Sequence, residues 1–280
     1  MRLRMDLAYD GTDFHGWATQ PGLRTVQGLL EGSLARVLRL EAVAVTCAGR
    51  TDTGVHARGQ VVHLDVDRGS VVTAATRSSS SPEDALLRRL NGILDRDVRV
   101  RRVVEAPEGF DARFSALWRR YAYRLVDSPE LVDPLSRGTV LAWPRPLDLD
   151  AMNQAATALL GEHDFAAFCK RREGATTVRA LRRLRWERDV AGVAVATVVA
   201  DAFCHHMVRA LVGCLVAVGE QRQAPGWAAD VLRRGVRDAG VTVVPPHGLT
   251  LEEVGYPPDE ELAARARETR RVRTAVAPSE

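Results

Sequence analysis

From Arg2 to Gly11 the segment RLRMDLAYDG alternates polar and apolar positions, the two-residue period of a strand with one buried face. The turn-rich DGTDFHGW follows it. In TVQGLLEGSLARVLRL the apolar residues Val26, Leu29, Leu30, Leu34, Val37 and Leu38 recur at helical spacing, which predicts a helix capped by Thr25. VAVTCAG (43–49) and GQVVHLDVD (59–67) read as two strands joined by a loop. SPEDALLRRLNGIL (81–94) reads as a helix, and DVRVRRVVEA (97–106) as a strand. The resulting order, β-α-β-β-α-β, is the ferredoxin-like split unit. It builds an antiparallel sheet with helices on one side.

The second half repeats the theme in element order rather than in sequence. RYAYRLVDS (120–128) is a strand pattern, DLDAMNQAATALLG (148–161) a helix, and VRALRRLRWERD (178–189) and VAVATVVAD (193–201) two strands. A long apolar helix is predicted at HHMVRALVGCLVAVGE (205–220), a short one at PGWAADVLRRG (225–235), and a last strand at GLTLEEVGY (248–256). The fold class expected is therefore α+β, with two ferredoxin-like or RRM-like halves sharing a mainly antiparallel sheet with flanking helices. The halves are placed at 1–110 and 111–257, before a charged tail at 258–280 that reads as a fraying surface helix. The stretch RSSSSP (77–82) reads as a linker or insertion.

Composition narrows the function classes. The 280 residues, 46% of them hydrophobic, suffice for a sizeable core. Thirty-nine Lys and Arg against 36 Asp and Glu leave a net charge of only +3, so bulk charge demands no polyanionic partner. Lys170 is the only lysine, however, and arginine suits bidentate phosphate contacts. Cys47, Cys169, Cys204 and Cys214 form no CxxC pair, which speaks against a secreted disulfide scaffold or a cysteine zinc site. They read as buried thiols of a reducing compartment. The start has no apolar signal core and Arg209 interrupts the longest apolar stretch, so no membrane segment is expected and the location read is cytoplasmic.

Candidate chemistry concentrates in CAGRTDTGVHARGQVVH (47–63). Asp52-Thr53-Gly54 spells the aspartic protease triplet, but such an enzyme needs two carboxylates sharing a proton, and a chain with one triplet offers only a dimer route. Arg50, two residues earlier, lies on the same side of an extended segment, and a guanidinium there favours the ionised carboxylate. That opposes proton sharing. A structural turn, with Asp52 bonding backbone amides and Gly54 at positive φ, is the other reading from local chemistry.

The wider context resembles the tRNA pseudouridine synthase A family. The stretch 47–63 is accompanied, in matching order, by YDGTDFHGWATQ (9–20), TVQGLLE (25–31), FDARFSALWRRYAYRL (110–125), LLGEHDFAAFC (159–169), TTVRAL (176–181) and FCHHMVRALVG (203–213). The resemblance runs from about residue 3 to about residue 257. It implies the pseudouridine synthase fold and an isomerase that converts uridine to pseudouridine at positions 38, 39 and 40 of the tRNA anticodon stem-loop. It also implies a homodimer that takes tRNA as partner, with no metal and no cofactor. By the same resemblance Asp52 is the essential aspartate, Arg50 its ion-pair partner and a support for base flipping, and Tyr121 the active-site tyrosine. The chain departs from the family pattern at Thr53, where alanine is usual, at Ala210, where asparagine is common, and in NGILDRD, which lacks a proline.

The chemistry suits these residue types. Breaking the N1 to ribose bond and joining C5 to the same ribose carbon changes no oxidation state, so no cofactor is needed. An ionised Asp52 can attack C1′, add to the base, or remove a ribose proton toward a glycal, and the sequence leaves the three routes open. Tyr121 offers a ring for a flipped uracil, where stacking contributes roughly 1–3 kcal/mol per base. Of Arg119 and Arg120, strand alternation turns only one toward a given face, and Arg120 is taken as a substrate contact. His205, His206 and Arg209 line the pocket or cap the helix they precede, and neither they nor His56 and His63 have HExxH spacing, so zinc is disfavoured. Lys170, Arg171, Arg172 and Arg179 read as a phosphate-binding edge. Asp10 and Gln27 read as turn and helix-start residues. A tRNA-binding protein without turnover is the alternative, which an intact Arg50, Asp52 and Tyr121 opposes.

Overall fold

The computed structural model describes residues 1–75, 81–170 and 176–270. The described chain divides into two compact units, Met1–Leu117 with Leu251–Arg270, and Trp118–Thr250. Both are α+β, with mainly antiparallel strands and flanking helices.

In the first unit β1 (Arg2–Tyr9) is central, paired antiparallel with β3 (His56–Asp65) on one side and β4 (Val98–Glu105) on the other. Its alternation is strict: Leu3, Met5, Leu7 and Tyr9 are buried. Against that face pack α1 (Val26–Leu38), through Val26, Leu30, Leu34 and Leu38, and α3 (Pro82–Ile93), through Leu86 and Leu90. Thr25 caps α1 by accepting from the Gly28 amide at 3.3 Å. The strand expected over 43–49 contracts to β2, Thr46–Cys47, paired with β3. One cause is a side chain of α1, since the Glu31 carboxylate accepts the Val45 amide at 2.9 Å and removes it from any ladder.

A further helix, α2 (Arg68–Ala75), follows β3. Its sequence RGSVVTAA gives little helical signal because two β-branched valines adjoin. Of the stretch read as a linker, 77–80 lie outside the described residues, whereas Ser81 caps α3 by accepting the Asp84 amide at 3.1 Å and Pro82 is its first residue.

In the second unit the antiparallel order is β5 (Trp118–Val126), β9 (Ala194–Ala200), β8 (Val178–Arg188) and β7 (Gly161–Asp164), and β6 (Leu141–Ala142) runs parallel to β5. The helix expected to reach residue 161 is α4, Leu149–Thr157, and the polar GEHD after it forms β7. α5 (Met207–Gly219) is buried at every residue except Arg209. α6 (Trp227–Arg234) completes the unit, and β10 (Leu249–Gly255) and α7 (Leu262–Thr269) end the described chain. Residues 271–280 of the expected tail lie outside the described residues. Among the described residues no helix is long and apolar enough to cross a membrane.

Candidate active site

Arg50 and Asp52 stand on the loop between β2 and β3. Pairing with β3 continues just past β2, where the Ala48 amide donates to the Val61 carbonyl at 2.8 Å, and then the chain departs. Two turn segments after β1 receive it. The Trp17 amide donates to the Thr51 carbonyl at 3.0 Å, and the Gly54 amide donates to the Phe14 carbonyl at 3.3 Å. A tight turn closes the loop, with Val55 donating to the Asp52 carbonyl at 3.1 Å and Gly54 at φ +75°. Gly54 thus has the backbone conformation the turn reading requires.

Gly16 is needed for the same docking. At φ +87° it has left-handed backbone, and a Cβ there would stand 3.0 Å from the Thr51 carbonyl oxygen. Exposure varies along the loop: Arg50 is exposed, Thr51 buried, Asp52 half-buried and Thr53 exposed. The departure at Thr53 therefore faces solvent. Arg50 and Asp52, the ion pair that the resemblance implies, stand on this one short loop, the first exposed and the second half-buried.

Surrounding groups serve the loop rather than compete with it. Burial pushes the Cys47 thiol up to about 11 against the pull of Arg50, so this sulfur is no nucleophile at neutral pH. Asp10 holds a turn by accepting the Thr12 amide at 3.0 Å and hydroxyl at 2.6 Å. Burial raises its carboxyl, but those bonds and His56 outweigh it and leave the group below the usual range. Gln27 accepts the Thr19 amide at 3.3 Å and donates to Glu31 at 2.9 Å, a role at the helix start.

The remaining candidates belong to the second unit. Tyr121, on β5, is buried with its ring edge-on to Phe203 at 5.1 Å. Arg119 lies on the same face and is buried, donating to the Asp201 carbonyl at 2.7 Å. Arg120 takes the opposite, half-exposed face, so β5 does not bring it to Tyr121. Lys170 and His205 are brought together: the Lys170 amide donates to the His205 carbonyl at 2.9 Å, and both residues are exposed.

His206 is the residue before α5, at φ +69°, and makes no side-chain cap bond. Its ring lies 4.0 Å from that of His205. Arg209 donates from Nε to the Val244 carbonyl at 2.7 Å, which ties α5 to a loop 35 residues away. Arg179 donates to the Val178 and Thr176 carbonyls at 2.5 and 2.7 Å, so its guanidinium braces its own segment. Arg171 and Arg172 lie outside the described residues.

Two cysteines differ from expectation. Cys169 and Cys204 are paired as a disulfide with Cα atoms 5.7 Å apart, whereas Cys47 and Cys214 are buried thiols. Nothing local announces a pairing 35 residues apart. It follows from the fold, which sets the chain before Lys170 beside the chain before His205.

Sequence reading also passed over Tyr9, Thr51 and Gln60. The Tyr9 and Thr51 hydroxyls share a hydrogen bond of 2.7 Å, and Gln60 donates to the Tyr9 oxygen at 3.3 Å and to the Gly49 carbonyl at 2.8 Å. A glutamine inside the apolar run GQVVHL is the signal by which they could have been found, since buried amides require partners.

Comparison with known proteins shows the family. The family model described as tRNA pseudouridine synthase matches residues 7–115 and 155–257, stretches that contain the Arg50–Asp52 loop and the His205–Arg209 segment. The chain belongs to the tRNA pseudouridine synthase family. A tRNA pseudouridine synthase A of Frankia casuarinae is 62% identical over 279 residues, covering 100% of this chain and 98% of that one. One from Streptomyces griseus is 59% identical over 276 residues (98% and 94%), and one from Mycobacterium leprae 52% over 277 (98% and 96%). The family is one of isomerases. Arg120 and Tyr121 fall between its two matched stretches, but the full-length relatives span them.

Proposed function

We propose that this chain isomerises uridine to pseudouridine at positions 38, 39 and 40 of the tRNA anticodon stem-loop, with Asp52 as the essential group. The observation that carries the reading is 59–62% identity over nearly the whole chain to proteins named tRNA pseudouridine synthase A, in a chain whose Arg50–Asp52 loop is fixed by dedicated backbone contacts.

The target uridine leaves the stem, because its C1′ and C5 are inaccessible inside a stacked duplex. Asp52 acts as a carboxylate on the ribose or the base by one of the three routes above; the N1–C1′ bond breaks, the uracil turns, and C5 bonds to C1′. The C5 proton departs to solvent and N1 gains one, so atoms and charge balance without an external redox partner. Arg50, exposed beside Asp52, meets the phosphate backbone or fills the gap that the flipped nucleotide leaves. Tyr121 meets the base, and Lys170, Arg171, His205 and Arg209 act on the substrate side, with Arg120 as a more distant phosphate contact.

In this reading the enzyme is a cytoplasmic homodimer that uses neither metal nor cofactor. The first half carries the Asp52 loop and the second completes the substrate contacts. The test of position is direct. Unmodified tRNAs with uridine at 38, 39 or 40 alone are incubated with the protein, and pseudouridine is located by carbodiimide adducts that stop primer extension. Stops at each of the three are expected, and modification confined to uridines elsewhere would overturn the assignment.

A further inference from the structure

The loop carrying Arg50 and Asp52 is held through three buried polar side chains, its own Thr51 and, outside it, Tyr9 and Gln60. Gln60 is fully buried, Tyr9 is 4% exposed and Thr51 is 6% exposed. Gln60 sits on β3 where β2 has stopped pairing, and its amide takes over from the ladder. Nε2 donates to the Gly49 carbonyl at 2.8 Å and to the Tyr9 hydroxyl at 3.3 Å, while Oε1 accepts the Val61 amide at 3.2 Å. The Tyr9 hydroxyl completes the relay to Thr51 Oγ1 at 2.7 Å.

The relay fastens the residue before Arg50 and the residue between Arg50 and Asp52. Polar groups this deep cost stability unless satisfied, and an apolar trio of similar volume would fill the space without directing the loop. Burial also raises the Tyr9 hydroxyl above its ordinary range, so it stays a neutral donor throughout the working pH range and is not itself a base.

We infer that Tyr9, Thr51 and Gln60 are positioning residues for the isomerisation: through the Tyr9–Thr51 bond and the Gln60 contact to Gly49 they set where Arg50 and Asp52 project. This rests on the reading of Asp52 as the reacting group. The reaction depends on the placement of that carboxylate, and a displacement of about 1 Å can cost on the order of 100-fold in rate.

The test uses tRNA carrying tritium at uridine C5, whose release to water follows the reaction in single-turnover conditions. Thr51→Val removes the hydroxyl and keeps the shape; Tyr9→Phe removes the other partner; Thr51→Ser keeps the hydroxyl. Thr51→Val and Tyr9→Phe are each expected to slow release on the order of tenfold, with tRNA affinity and KM within about twofold of the parent. Thr51→Ser is expected to regain most of the rate. The double variant should be no slower than either single one, because both remove the same bond.

Full release rates in both single variants, or losses that multiply in the double variant, would overturn the inference. So would a fall in melting temperature with the rate of the folded enzyme unchanged, which marks a purely structural role. Parent protein and Asp52→Ala are run beside them. An inactive parent or an active Asp52→Ala defeats the reading of Asp52 itself, whereas an active parent, a dead Asp52→Ala and unaffected Thr51→Val and Tyr9→Phe defeat only the positioning role.

Discussion

The Arg50–Asp52 loop and the His205–Arg209 segment are held in opposite ways. The loop is specified by particular side chains and glycines: Thr51 within it, Tyr9 and Gln60 bonded to it, Gly16 against it, and Gly54 at its turn. The His205–Arg209 segment is fixed mainly by main-chain bonds, the Lys170 amide to the His205 carbonyl and the Val244 amide to the Arg209 carbonyl, with the Cys169–Cys204 pair beside it. Any residue supplies a backbone amide, but only a few side chains can replace Tyr9 or Gln60. Substitutions around the first region should therefore register in the chemical step, and those around the second in stability and binding.

The largest effect that sharpens the contrast is at Arg50. Arg50→Ala should slow single-turnover isomerisation on the order of 100-fold, the range for removing one charge-stabilising group, without lowering the melting temperature, because the side chain is exposed. A preserved rate would remove Arg50 from the reaction. Next is Gly16→Ala, which forces a Cβ against the Thr51 carbonyl at positive φ. Roughly 1–3 kcal/mol of stability should be lost in denaturant titration, together with rate in the folded enzyme. Loss of stability alone would break the link between that glycine and the Asp52 loop.

His206→Gly probes the second region. Left-handed backbone at His206 strains a side-chain-bearing residue by about 1–2 kcal/mol, part of which the greater freedom of glycine in the unfolded chain cancels. A net gain of a few tenths of a kcal/mol is expected, with the chemical rate of bound tRNA preserved. A large fall in that rate would give this segment the same kind of role as the loop.

The smallest effect is a pH dependence at His63. This buried ring accepts the Ala112 amide on Nδ1 at 3.0 Å, which only the neutral form can do. Burial, reinforced by Arg2, holds its pKa below the ordinary value against the pull of Asp111 and Asp65. The unfolded chain therefore binds the proton more readily, and the stabilisation is complete above the ordinary histidine value of about 6.5 and is lost as pH falls below it. Melting temperatures from pH 8 to 5 should decline on the acid side, and His63→Asn, which retains an acceptor, should flatten that decline. An equal decline in the variant would assign it to other groups.

Much of this was legible because the rules involved are local. Strict alternation announced β1, helical spacing announced α1, and glycine-bearing turns made the stretch 47–63 distinctive. What escaped depends on partners distant in sequence. Glu31 shortens β2 by taking the Val45 amide, Arg209 spends Nε on Val244, and Cys169 finds Cys204 only once the fold is made. Similarly, a glutamine in an apolar strand shows that a buried network exists but not which loop it serves.

The most direct measurement is tritium release from C5-labelled unmodified tRNA, in buffer without added metal or cofactor, by the parent protein and by Asp52→Ala. The account predicts one tritium released per uridine converted by the parent, and release reduced on the order of 10,000-fold or more in the variant while tRNA binding and melting temperature hold. Release by Asp52→Ala at the parent's rate would contradict it.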